Sequence, residues 1–64
     1  MRLTVFWARM NEFFGERYAD SVAKDYVIAD LNGRTVEQAL AEGVDTKKVW
    51  AAVCATFDVP AKLR

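Results

Sequence analysis

The chain has 64 residues; nine are Lys or Arg, nine are Asp or Glu and none is His, so its formal net charge is zero. That balance argues against strong non-specific binding to nucleic acid or a membrane surface, which calls for a basic excess, and the lack of histidine beside a single cysteine rules out a Cys/His zinc site or a Ser-His-Asp or Cys-His triad within one chain. A chain this short buries only about 60% of its unfolded surface, but 53% hydrophobic residues, with four Phe, two Trp and two Tyr, suffice for one core.

The first predicted helix runs from Val5 to Phe14, with Thr4 as N-cap and Gly15 as the residue that closes it. Leu3, Phe6, Trp7, Met10, Phe13 and Phe14 share one side; Val5, Ala8, Arg9 and Glu12 share the other. A second helix is predicted to begin between Glu16 and Ser21 and to end at Leu31, before Asn32-Gly33. An Asn-Gly pair can also turn a hairpin, but Ala19, Val22, Ala23, Tyr26, Val27 and Leu31 recur at helical spacing, so the pair reads as a helix C-cap. Ile28 widens that apolar arc, which marks this as the central helix. Asp30 falls inside the arc near the negative end of its helix and needs a partner, for which Arg34 is the candidate. That couple reads as a structural pair or cap, with ligand binding as the weaker alternative.

The stretch Thr35–Phe57 carries the clearest local signals. Thr35 and Gln38 have capping-box spacing, Gly43 stands where the short helix Val36–Glu42 would close, and Asp45 is placed to cap the helix that follows. In that last helix Val49, Trp50, Val53, Cys54 and Phe57 form one stripe. Pro60 starts a final turn, with Asp58 near its cap, that folds Leu63 back. The predicted fold is therefore all-α: one domain over 1–64, a small bundle of three main helices plus one short helix, with a helix-turn-helix-like pair in the second half. Its core is assigned to Phe6, Trp7, Met10, Val22, Tyr26, Val27, Leu40, Val49, Trp50, Val53 and Phe57.

The lone thiol cannot form an internal disulfide, so nothing marks an oxidising compartment. The opening MRLTVFWARM is interrupted too early by Arg9 for a secretory signal, and no run approaches the length of a membrane span. The expectation is a soluble cytoplasmic protein.

The opening MRLTVFW, the step from Ala8 to Gly15, YADSVAKDYV, NGRTVEQAL and GVDTKKVWAAVCATFDVP together resemble a small actinobacterial family catalogued as domain of unknown function 3046. The resemblance covers nearly the whole chain, and NGRTV and VWAAVC are its most distinctive parts. It implies a short helical cytoplasmic protein with no assigned activity and no catalytic residues to carry over. Its members are often encoded near the DNA recombinase gene, which hints at DNA metabolism.

The residues themselves offer little chemistry. Asp20 and Asp25, five apart on a helix, are the nearest approach to a paired acid and base, and both read as solvated. Cys54 lies on the Trp50–Phe57 stripe and reads as a small buried hydrophobe without a basic neighbour to activate it. No enzymatic activity, cofactor or metal is expected.

Two binding hypotheses stand. In the first, the outward face of the last helix, Lys48, Ala51, Ala52 and Ala55, is a flat strip for a protein partner or a second copy, with Val5 and Ile28 as further apolar residues that one core leaves uncovered. In the second, Ala39, Gly43-Val44 and Val49 have helix-turn-helix spacing. Arg34, Thr46, Lys47, Lys48 and Ala51 would then contact DNA, with Lys62 and Arg64 also near phosphate. Neutral charge and an alanine-rich reading face weigh against DNA, so the protein-interaction reading leads.

Overall fold

A computed structural model describes all 64 residues as an all-α fold of four helices: α1 (Leu3–Phe14), α2 (Glu16–Asp25), α3 (Val36–Ala41) and α4 (Thr46–Phe57), with 3₁₀ turns at Ala29–Leu31 and Ala61–Leu63. It is the small bundle of three main helices and one short one that the sequence predicts. The boundaries differ in informative ways.

Helix α1 starts at Leu3, two residues before the Val5 that a Thr4 cap would give. Arg2 occupies the N-cap position without a side-chain bond; Arg2 O accepts from Phe6 N–H at 3.0 Å. The Thr46 hydroxyl donates to Met1 O, which ties the N-terminus to the start of α4. A tertiary anchor has replaced the local cap.

A single residue separates α1 from α2. Gly15 has φ 84° and ψ 150°, a combination essentially restricted to glycine, and it lets the chain reverse so that α2 lies on α1. Its N–H donates to Asn11 O at 2.8 Å and its carbonyl accepts from Ala19 N–H at 2.8 Å, so it serves both helix ends.

The predicted continuation of α2 to Leu31 is wrong. The helix stops at Asp25, and Tyr26 takes extended backbone at φ −86°, ψ 116°. Tyr26-Val27-Ile28 joins an aromatic to two β-branched residues, a run that favours extended chain over helix. After the turn at Ala29–Leu31, Asn32 and Gly33 take positive φ, 59° and 79°. The chain then returns so that Ile28 N–H donates to Arg34 O at 3.0 Å, an isolated antiparallel bridge. The Asn-Gly pair thus turns a miniature hairpin after all. Burial inverts accordingly: Tyr26 and Val27 are 45% and 58% exposed, while Ile28, expected uncovered, is fully buried.

The α3–α4 junction follows its sequence signals closely. The capping box is complete: Gln38 N–H donates to Thr35 Oγ1 at 3.2 Å, and Thr35 N–H donates to Gln38 Oε1 at 3.0 Å. At the other end Val44 N–H reaches Ala39 O and Gly43 N–H reaches Leu40 O, the paired bonds of a Schellman motif. Gly43, at φ 87°, supplies the left-handed residue that motif needs. Asp45 holds the N-cap position of α4, but its carboxylate makes no capping bond. Asp58 ends α4 in the left-handed region at φ 55° rather than capping the final turn.

One core joins all four helices. Phe6 and Met10 of α1, Ala19, Val22 and Ala23 of α2, Val36 and Ala39 of α3, and Val49, Trp50 and Val53 of α4 meet Ile28, Leu31 and Val59. Phe6 stands edge-on to Trp50 with ring centroids 6.0 Å apart. Phe14 does the same against Phe57 at 5.0 Å, and Tyr26 covers Phe57 from outside at 4.8 Å. Trp7, Leu40 and Phe57 are half-buried and pack against this core, as does Leu63 of the final turn.

Candidate functional site

The sequence-predicted surface residues divide on inspection of α4. Lys48, Ala51 and Ala55 are exposed, but Ala52 is 6% exposed and belongs to the core. Helix α4 is contacted by α1, α3 and the 3₁₀ turn at Ala29–Leu31. A helix so surrounded has room for only a narrow outer strip, and Ala52, next to Val53 and three residues from Val49, lies beyond it.

Of the five residues assigned to DNA contact, two are tied down internally. Arg34 Nε lies 2.8 Å from Glu42 Oε2, and Arg34 Nη1 donates to Leu31 O at 3.2 Å. Thr46 is half-buried, with its hydroxyl on Met1 O. Lys47, Lys48 and Ala51 remain exposed. The expected Asp30–Arg34 pair does not form: Arg34 is paired with Glu42, and Asp30 is exposed in the 3₁₀ turn. Asp20 pairs with Lys24 at 3.4 Å on the exposed face of α2 rather than with Asp25.

The feature that gathers chemistry is a cavity of about 470 Å³ between α1, α4 and the C-terminal turn. Arg9 comes from α1, Arg64 from the tail, and Lys47, Trp50, Ala51 and Cys54 from α4, with Met1 at the edge. Helical spacing explains the α4 contribution. Lys47, Trp50, Ala51 and Cys54 are related by steps of three and four, so they form one face. The tail is held in place by its own bonds: Arg9 Nη1 donates to Arg64 O at 2.6 Å, and Arg64 Nε donates to Val59 O at 2.9 Å.

Three cations therefore border an apolar floor, and no Asp or Glu side chain lines the cavity. Asp58 lies 4.0 Å from Arg64 Nη2 and is itself fully exposed. Lys47 takes part in no hydrogen bond or ion pair. Trp50 contributes to the floor. Trp50 is 3% exposed, and its indole Nε1 is the buried side-chain nitrogen or oxygen that lacks a hydrogen-bond partner.

Cys54 is buried. Its thiol is pushed above its ordinary pKa by burial, with Arg64 and then Arg9 pulling more weakly the other way. The basic neighbours that the sequence does not reveal are thus present, but desolvation outweighs them and disfavours the thiolate. Sequence reasoning misses the cavity because its two walls lie 55 residues apart: nothing local brings Arg9 to Arg64. The legible traces are Arg9 on the polar side of α1 and Lys47, Ala51 and Arg64 among the candidate DNA contacts.

A family model matches residues 1–62. The chain belongs to the family described as protein of unknown function (DUF3046). This confirms the resemblance carried by the NGRTV and VWAAVC segments, and it assigns the DUF3046 chain no activity. Searches of curated proteins and of solved structures find no match. No helix of this DUF3046 protein is long and apolar enough to cross a membrane, and no three His, Cys, Asp or Glu side chains cluster as a metal site.

Proposed function

We propose that this DUF3046 protein is a small, non-enzymatic protein-interaction module that holds an acidic segment of a partner protein against the face shared by α1, α4 and the C-terminal turn. The observation that carries the reading is the cavity lined by Arg9, Lys47 and Arg64 with no Asp or Glu side chain among its walls. Like charges converging on a low-dielectric surface repel one another, and an anionic partner offsets that cost while being steered to the face. Lys48, Ala51 and Ala55 extend the face along α4 as an exposed strip with small side chains, which allows close approach by a partner backbone. The lone buried thiol is consistent with a cytoplasmic setting.

Duplex DNA is the alternative anion. It is disfavoured because Arg34 and Thr46 are committed to internal bonds, Glu42 and Asp45 flank the turn before α4, and the net charge is zero. Amide NMR separates the readings. Titration with an Asp/Glu-rich peptide is expected to shift Arg9, Lys47, Ala51 and Arg64. Shifts on Thr46–Ala52 with duplex DNA and steep salt dependence, with none from the peptide, would overturn the proposal. Concentration-dependent shifts on Ala51 and Ala55 alone would replace the acidic partner with a second copy of the chain.

A further inference from the structure

We infer that the α1/α4 cavity is a pocket for an apolar carboxylate. The anion meets Arg9, Lys47 and Arg64 at the rim, and the hydrocarbon body lies on Trp50, Ala51 and Cys54. This deepens the acidic-partner reading and rests on it for its electrostatics. The geometry is more specific than a basic patch. At about 470 Å³ the cavity falls within the roughly 300–1,000 Å³ range of small-molecule pockets, which are largely apolar with a few polar groups that orient the ligand. Four of its seven lining residues are hydrophobic, so a heavily hydrated anion such as phosphate would lose water without gaining enough donors. A carboxylate on an aryl or alkyl body matches both halves of the wall.

The guanidinium groups contribute further. Each uses one N–H direction on a main-chain oxygen, Arg9 on Arg64 O and Arg64 on Val59 O. These bonds orient the side chains and leave other N–H groups for a ligand, an arrangement suited to paired bonds with a carboxylate. Lys47, which makes no internal bond, and two guanidinium groups with N–H directions to spare thus meet an apolar floor in one cavity.

Calorimetry and NMR with 3-phenylpropionate as the probe test this directly. The acid is expected to bind, to move the Trp50 indole N–H resonance and the Ala51 and Cys54 amides, and to bind about tenfold more tightly than 3-phenylpropan-1-ol, its neutral analogue. Inorganic phosphate should not compete. Lys47→Gln should weaken the acid about fivefold or more and narrow its advantage over the alcohol. A peptide ending in Phe with a free C-terminal carboxylate, compared with its amide, tells whether a protein terminus or a free small acid supplies the group. Equal binding of acid and alcohol, effective competition by phosphate, or no response to the acid would overturn the pocket. If a long acidic peptide still shifted Lys48, Ala51 and Ala55 with the Trp50 indole unmoved, the pocket would fail and the docking face would survive. Silence towards both probes would remove both.

Discussion

Trp50 is the residue on which core and cavity both depend. Its ring sits edge-on to Phe6 inside the bundle, yet its N–H is buried without a partner. Truncation to Ala should therefore cost about 3–5 kcal/mol and unfold much of the population, read as the loss of a cooperative melt. Trp50→Phe should cost clearly less, because it removes the unpaired N–H along with part of the ring. Equal losses for the two would contradict this. Cys54 supplies a pH test. Its thiol is raised by burial, so above the ordinary thiol pKa the unfolded chain loses that proton first and folded stability falls as pH rises. Below that range Cys54 contributes no slope. The difference in Tm between the parent and Cys54→Ala should therefore shift in favour of the alanine variant between about pH 8 and 10. A constant difference would mean that the thiol titrates normally.

At the scale of elements, the turns carry most of the specification. Gly15 has open space where a Cβ would stand, so Gly15→Ala tests backbone strain alone, and about 1–3 kcal/mol should be lost at its φ and ψ. Asp58 is the converse case. It is a non-glycine residue in the left-handed region at the end of α4, with Val59 N–H bonded back to Cys54 O at 3.2 Å. Asp58→Gly should raise stability by about 0.5–1 kcal/mol in a thermal or denaturant melt, and a loss would contradict the assignment. These local devices also show what the sequence could convey. The capping box at Thr35 and Gln38 and the closure at Gly43 need only neighbours within a turn, so their spacing reveals them. The end of α2 depended on competition between a continuing helical period and the extended preference of Tyr26-Val27-Ile28. Periodicity alone could not decide it, because the bridge from Ile28 to Arg34 is what commits the chain. The start of α1 was misplaced for a related reason, since its anchor is Thr46, far away in sequence.

At the scale of the molecule, an evenly charged chain has been folded so that its charges are unevenly placed. Three cations collect around one cavity, while Asp20, Asp25 and Asp30 lie exposed on α2 and the turn after it. That separation was illegible beforehand, because net charge and helix faces say nothing about which faces meet across 55 residues. Ala51 and Lys47 were recognised as outward-facing; that they line a recess with Arg9 and Arg64 required the tertiary structure. Binding sites commonly cost stability, since groups are held where only a ligand satisfies them. Lys47 isolates this because it makes no internal bond. The decisive measurement is a paired one on Lys47→Gln: its Tm, and its affinity for the Asp/Glu-rich peptide that binds the parent. The account predicts an unchanged or higher Tm with affinity reduced about fivefold or more; a lower Tm with affinity intact would contradict it.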